Sequence, residues 1–297
     1  MKNSKIAFVL VLITSVLCSC KAIEDVTQYA PVEHFPDDSI LMSLENRKAL
    51  IMTAHDDDMC GMSGTMSKLN RAGWEIKHIV LSGFDAKREQ AHINAGKFVL
   101  DTILFMDILD KCRNDLDTVE IAHRAIPKDR FSSVFNYAIV EPELIRLIND
   151  FAPSVVFSMD NEIGGYGHPD HVFISQVVLD LAKAGKIAPQ YIYQNVMTDH
   201  YEQTVIGERH SARMKKWGYA GDGWEHAKKT YNVSGTPEPD VQINIFSEAE
   251  NKMNYLMSYE ERERKTMGFY IPAFFEYQAE EYFKIFDREF FRIIKIN

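Results

Sequence analysis

Two short clusters of histidine and aspartate contain the residue types that bind a divalent metal. The first is His55-Asp56-Asp57-Asp58, and the second is His168-Pro169-Asp170-His171. Three adjacent carboxylates are costly to remove from water unless a cation or a proton shares their site. His55 and Asp58 with His171 would form a two-histidine, one-carboxylate site, which leaves a position open for water as catalytic zinc sites do.

Each cluster follows an apolar run that is typical of a buried strand. Strands are predicted at 48–54, 75–81, 103–106, 154–158 and 191–193, and helices at 61–71, 87–100, 141–150 and 172–184, with Pro142 in a first helical turn. This alternation predicts an α/β protein with a mainly parallel sheet in a three-layer, Rossmann-like arrangement. Ligands of such sheets bind at the carboxyl ends of the strands, where both clusters lie.

The pattern changes after Asn195. Residues 200–239 resemble long loops, whereas 247–265 predict a helix with Ser247 at its N-cap. Residues 269–296 predict a helix or a strand pair that closes the sheet. No linker separates a second domain, so residues 47–297 are predicted to form a single domain, preceded by a tether and edge segment at 20–46.

At the two clusters the chain resembles the LmbE/PIG-L-type zinc-dependent N-deacetylases. The first motif of that family reads Ala-His-Pro-Asp-Asp-Glu, and its second reads His-x-Asp-His, which residues 168–171 match. The resemblance extends over most of the chain after the first predicted strand, through Gly73 and Ser82-Gly83 to Glu280-Glu281-Tyr282-Phe283. It implies an LmbE-like fold and a hydrolase that removes an N-acetyl group from an N-acetylated sugar or glycoconjugate.

The resemblance also implies a role for each site residue. His55, Asp58 and His171 would hold Zn²⁺, although these donor types also suit other first-row divalent metals. Asp57 would be the base that takes a proton from water. His168 would donate to the oxyanion, and Asp170 would orient and charge His168.

Arg88 lies near the position of substrate-side residues in the family, although a solvated helix start explains it equally well. Trp217, Tyr219 and Trp224 could stack on a sugar ring, while packing within a loop is the more common role of such residues. An acidic turn before a helix can also simply cap that helix. The presence of both clusters at two predicted strand ends favours the metal site.

Two residues depart from the family pattern. Asp56 replaces the proline of the first motif, which loosens a turn and adds an acidic neighbour. Met59 replaces its glutamate, which removes a carboxylate that borders the site. Metal binding is expected to survive these changes. A degenerate metal- and saccharide-binding lipoprotein and an amidase acting on a non-sugar amide are therefore kept as alternatives.

The first residues are typical of a targeting signal. Lys2 and Lys5 precede an apolar run over 6–17, and Leu17-Cys18-Ser19-Cys20 resembles a bacterial lipobox. The run is shorter than the roughly 17–25 residues of a membrane-spanning helix. We therefore expect a lipoprotein signal peptide at 1–19, lipidation of Cys20 and an extracytoplasmic, membrane-anchored protein, with an ordinary signal peptide or a buried helix as alternatives.

Composition narrows the possible partners. The formal net charge of −10 argues against binding nucleic acid. A hydrophobic content of 46% and a charged content of 26% are ordinary for a globular protein. Cys60 and Cys112 could form a disulfide in an extracytoplasmic compartment, although two buried thiols are the favoured interpretation. The oligomeric state is left open.

Overall fold

The computed structural model describes residues 23–82, 85–106, 108, 112–114 and 124–296. Within these residues the strands form a seven-stranded sheet with the order β3-β2-β1-β4-β5-β7-β6. The strands are β1 (Lys48–His55), β2 (Glu75–Ser82), β3 (Thr102–Phe105), β4 (Val155–Met159), β5 (Tyr191–Asn195), β6 (Val241–Asn244) and β7 (Arg288–Lys295). Strands β1 to β5 run parallel, whereas β7 is antiparallel to β5 and β6. The predicted α/β fold with a mainly parallel sheet is confirmed.

Helices flank the sheet. They span Ser63–Arg71, Ala86–Gly96, Phe131–Val134, Tyr137–Phe151, Gly164–Gly167, Pro169–Lys183, Gly223–Tyr231, Ala249–Met257, Glu261–Met267 and Ala279–Ile285. A continuous helical segment also runs from Asp199 to Lys216 and is π-helical over Glu202–His210. Short 3₁₀ turns lie at Thr27–Tyr29, Leu41–Ser43, Asp56–Gly61, Lys128–Arg130, Phe246–Glu248 and Phe274–Glu276. No helix in the described residues is long and apolar enough to cross a membrane.

Strand β1 lies in the interior of the sheet, between β2 and β4. Its residues Ala49 to Met52 are fully buried, because helices cover both faces of a parallel sheet and a central strand must be apolar on both sides. The chain passes from β1 to β2 and β3 on one side, and β4 and β5 lie on the other side. The strand order therefore reverses between β1 and β4, and ligands of open α/β sheets bind at such a switch point. Both sequence clusters follow these two strands.

Three predicted helical features are wrong. The helix around Pro142 begins at Tyr137, because buried Val140 extends the apolar face formed with Leu144 and Ile148 upstream of the proline. The predicted helix over 247–265 is two helices, Ala249–Met257 and Glu261–Met267. Ser247 is not an N-cap, since it lies in a 3₁₀ turn and donates to Glu248.

The region 200–239, predicted as long loops, is largely helical. Val205, Ile206 and Trp224 are buried in the core, and this burial stabilises helices in a segment whose glycines indicated loops. The predicted closing elements at 269–296 are the helix Ala279–Ile285 and strand β7.

The segment at 20–46, predicted as a tether and an edge segment, is packed against the domain over its described part. Val26 is fully buried, and the hydroxyl of Tyr193 donates to Asp38 Oδ2 at 2.6 Å. Asp37 forms an isolated bridge to Gln242 of the edge strand β6. Residues 23–46 therefore cover one side of the domain instead of extending from it. The predicted signal peptide and Cys20 lie outside the described residues.

Candidate metal centre

His55, Asp58 and His171 bring three donor atoms together. His171 Nε2 lies 2.9 Å from Asp58 Oδ1 and 3.1 Å from His55 Nδ1, and His55 Nδ1 lies 3.6 Å from Asp58 Oδ1. Ligand atoms at about 2.0–2.1 Å from a tetrahedral zinc ion would be roughly 3.3 Å apart. Each side chain is at most 7% exposed. The spacing and the donor types fit a buried divalent metal.

The tautomer of His171 also fits a metal ligand. Its Nδ1 lies 3.0 Å from the carbonyl oxygen of Gly164. A carbonyl oxygen only accepts, so Nδ1 carries the proton and Nε2 presents its lone pair to the other two donors.

Charge at the centre favours a cation. Burial lowers the pKa of His55, but the carboxylates of Asp58 and Asp170 outweigh burial and raise it to about 10. The pKa of Asp58 is well below its usual value, because the two histidines outweigh the effect of burial. A positive charge is therefore stabilised among these side chains, as expected for a site that takes either protons or a metal.

Two further donor groups overlap with this one. His55, His168 and His171 form the first, and His55, Asp57 and Asp58 form the second, with all ligand atoms of each group within 4.8 Å of one another. His55 belongs to all three groups.

The carboxylate of Asp170 contacts His55 more closely than His168. Asp170 Oδ1 accepts from Arg113 at 2.8 Å, and Oδ2 lies 3.4 Å from His55 Nε2. His168 Nδ1 lies 3.9 Å from Asp170 Oδ2 and instead accepts the backbone N–H of Asp170 at 3.2 Å. Asp170 therefore orients His55, which differs from its predicted role of orienting and charging His168. The reason is that His168 is the N-cap of the helix Pro169–Lys183.

His168 is a neutral donor in this geometry. Burial holds its pKa well below the usual value. Because Nδ1 accepts a hydrogen bond, the proton of the neutral ring is on Nε2. A neutral N–H donor can stabilise a developing oxyanion.

Arg88 joins two aspartates of the first motif. Its Nη2 lies 2.7 Å from Asp57 Oδ1, and its Nε lies 2.7 Å from Asp56 Oδ1. Burial, together with the charge of Asp57, raises the pKa of Asp56 to about 7 against the opposing effect of Arg88. Asp56 therefore anchors Arg88 and lies outside the candidate donor groups. Met59, at the glutamate position of the family motif, is a fully buried core residue.

Buried polar side chains form hydrogen bonds to the turn that carries Asp56, and the sequence patterns did not indicate them. The hydroxyls of Tyr255 and Tyr259 donate to the carbonyl of Asp56 at 3.4 and 3.1 Å. Tyr259 also bonds His92 at 2.5 Å, and His92 bonds His78 at 2.9 Å. Burial lowers the pKa of His78 to about 3. Both imidazoles are thus neutral core residues, and the tyrosines restrain a turn that lacks the usual proline.

Asp160 holds the second motif and was also missed. Its Oδ1 accepts the N–H of Ile163 at 2.7 Å, and its Oδ2 accepts that of Gly165 at 2.7 Å. The loop turns sharply at Gly164, where φ is +64° and a Cβ would lie 2.8 Å from the Cβ of His171. The available signal was an aspartate that directly follows a buried strand and stands four residues before a glycine pair.

An open cleft of about 400 Å³ leads to the centre. His55, Asp57 and His168 line it, together with Arg88 and the aromatic residues Trp217, Tyr219 and Trp224. Trp217 is 61% exposed and Tyr219 is 46% exposed, whereas Trp224 is buried. Two of the three predicted catalytic residues, Asp57 and His168, thus share one cleft with Arg88 and the aromatic residues, whereas Asp170 does not line it.

The two cysteines do not pair in this structure. No disulfide joins Cys60 to Cys112, and neither residue belongs to a candidate donor group among the described residues.

The parallel sheet and the donors at its switch point define an α/β protein with a candidate metal centre. Residues 50–182 match the PIG-L family, described as GlcNAc-PI de-N-acetylase. Over these residues the match bears out the resemblance predicted from the two motifs. None of the curated proteins matches the chain.

Solved structures with the same fold include several deacetylases. A deacetylase of the teicoplanin biosynthesis pathway has a TM-score of 0.52 at 11% identity, over 84% of this chain and 98% of that chain. The zinc-inhibited form of teicoplanin deacetylase Orf2 has a TM-score of 0.50 at 11% identity, with the same shares. The N,N'-diacetylchitobiose deacetylase from Pyrococcus horikoshii has a TM-score of 0.49 at 14% identity, over 84% and 85%. At these identities the two matches with TM-scores of 0.50 and 0.52 establish the fold alone.

Proposed function

We propose that the protein is a metal-dependent N-deacetylase that hydrolyses the amide of an N-acetylated sugar or glycoconjugate. The observation that carries the proposal is the meeting of His55, Asp58 and His171, which come from two distant motifs, within 3.6 Å. The PIG-L match supports amide hydrolysis, because that family is described as a de-N-acetylase.

Different residues around the metal centre would carry out different steps of the amide hydrolysis. A divalent metal, with zinc as the family-based choice, would supply Lewis acidity and an activated water at neutral pH. Asp57 faces the cleft and takes the proton of the attacking water, while Arg88 holds its carboxylate in place. His168 donates from Nε2 to the oxyanion, and the proton that Asp57 took from water passes to the leaving amine as the C–N bond breaks.

The cleft contains groups that suit a sugar. The exposed rings of Trp217 and Tyr219 can pack against a pyranose face, and Arg88 lines the same cleft. We further propose that Cys20 carries the lipid and anchors the protein outside the cytoplasm. Replacement of Cys20 by alanine should then abolish the incorporation of a labelled fatty acid into the protein; labelling that persists in the variant would contradict lipidation at this residue.

The test of the proposed function uses the zinc-loaded protein that begins at Lys21. It should release acetate from at least one member of a panel of N-acetylhexosamine compounds. Asp57→Asn should lower this rate by roughly 10²–10⁴-fold with unchanged zinc content. His171→Ala should lose the metal. A panel that yields no acetate from metal-bound wild type would contradict the proposal.

Met59 favours a second candidate, a metal- and saccharide-binding protein without turnover. Because Met59 is fully buried, no carboxylate borders the site where the family has glutamate. This candidate predicts saccharide binding that survives Asp57→Asn and no acetate release. Restoring glutamate at this position would be a poor test, since it would bury a charge in the core.

A further inference from the structure

A second cavity adjoins the metal centre. It measures about 170 Å³ and shares Asp57, Tyr166, Thr266 and Tyr270 with the cleft. Asp58 and His171 line only the cavity, whereas His55 and His168 line only the cleft. The candidate metal centre therefore lies between the cleft and the cavity.

The walls of this cavity are mostly apolar. Its apolar side chains include Met159, Met197, Met267, Ile271, Phe283 and Phe286. Of the charged residues in the wall outside the first motif, Lys252 and Glu289 are buried and paired with each other, and Arg288 is paired with Asp287. Glu289 also accepts two backbone N–H groups, so its charge is already compensated. The cavity thus favours an apolar group of the substrate over a polar one.

An amide that binds at the metal centre has two substituents, the acyl group and the amine. One of them must enter the cleft and the other must enter the cavity. The reaction breaks the C–N bond, forms a C–O bond with water, and yields an amine and a carboxylic acid. The cleft, with its exposed aromatic rings, suits the sugar amine, so the acyl group faces the apolar cavity. The single methyl group of an acetyl would leave most of the cavity empty. An apolar cavity of about 150 Å³ binds benzene, a guest with six carbons.

We propose that this cavity binds the acyl chain of the substrate and that N-acyl sugars with linear chains of about six carbons react faster than N-acetyl sugars. This inference rests on the proposed amide hydrolysis and extends it to a particular acyl class. Burial of each additional methylene is expected to raise kcat/KM about fourfold. Hexanoyl-glucosamine should therefore exceed N-acetylglucosamine by roughly two orders of magnitude.

The experiment compares N-acetyl-, N-butanoyl-, N-hexanoyl- and N-decanoyl-glucosamine with the zinc-loaded protein. All four release glucosamine, so one amine assay measures every rate. Ile271→Trp places a larger side chain in the cavity wall. Ile294→Trp is the matched control, because this isoleucine is also half-buried but lines neither space.

We expect the rate to rise from acetyl to hexanoyl and Ile271→Trp to lower the hexanoyl-to-acetyl ratio by at least about tenfold, through the loss of apolar contact. The control should keep the wild-type ratio. If the tryptophan variants fail to fold, product inhibition of wild type decides, since hexanoate should inhibit at a lower concentration than acetate.

The outcomes separate this inference from the proposed function. Glucosamine release from none of the four compounds would overturn both. Hydrolysis of the acetyl compound with slower reaction of every longer chain would leave the proposed function standing and overturn the acyl cavity. A preference for hexanoyl that Ile271→Trp leaves unchanged would show that the acyl chain binds outside this cavity. That result would also overturn the inference.

Discussion

Glu289 joins the last strand to the helix that follows the first motif. Its Oε1 accepts the N–H of Gly64 at 2.9 Å, and its Oε2 accepts the N–H of Thr65 at 2.7 Å. Lys252 donates to Oε1, and both members of this ion pair are at most 6% exposed. Glu289→Gln keeps the side-chain shape but removes the charge. The change therefore tests the buried pair and the attachment of the motif helix together.

The expected loss of stability follows from these contacts. Removing one partner of a buried ion pair costs about 3–5 kcal/mol, because the other charge stays buried without compensation. Glutamine also has a single acceptor oxygen, so one backbone N–H loses its partner. We expect the free energy of unfolding to fall by about 4 kcal/mol. For a protein of this size, this corresponds to a decrease in Tm of about 10 °C.

Differential scanning calorimetry of wild type, Glu289→Gln, Lys252→Met and the double variant measures this effect. Lys252→Met should cost less, since Glu289 keeps two backbone donors. The double variant should be more stable than Glu289→Gln alone, because it no longer buries an unpaired ammonium. A decrease in Tm below about 2 °C for Glu289→Gln, or full additivity in the double variant, would refute the reasoning.

Three further predictions concern other buried groups. Burial raises the pKa of Glu202 to about 7, so the native state retains a proton that the unfolded chain loses near pH 4.3, and stability falls as pH rises between these values. Glu202→Gln should abolish this loss of stability, which amounts to up to about 3 kcal/mol, and the comparison uses the Tm at about pH 5 and at about pH 8. If the variant keeps the pH dependence of wild type, Glu202 is not its source. Asp170→Asn should weaken zinc binding about 10–100-fold in a chelator competition, because His55 loses its orienting carboxylate; wild-type affinity would exclude that role. Tyr259→Phe should cost about 1–3 kcal/mol in thermal unfolding, because the buried His92 Nδ1 loses its partner and the Asp56 carbonyl loses one of its two hydroxyl donors; an unchanged Tm would show that the hydroxyl does not restrain the turn.

Local sequence patterns were sufficient for the parallel part of the fold. The apolar runs before the two clusters predicted β1 and β4, because strands buried on both faces are apolar throughout. Each cluster follows one of these strands, so the carboxyl edge of the sheet could be predicted as the site. The motif resemblance then separated His55, Asp58 and His171 from Asp57, which spacing alone does not do.

Only the tertiary structure decided how the site is supported. Asp160 holds the second motif, Arg113 holds Asp170, and Tyr255 and Tyr259 hold the first turn. Several of these partners are far from the motifs in sequence, and their roles depend on which side chains are buried together. The helices between 199 and 231 were missed for the same reason, since burial against the core overrides glycine-rich local patterns. The chemical groups of the site are thus encoded locally, while their orientation and charge balance arise from long-range packing.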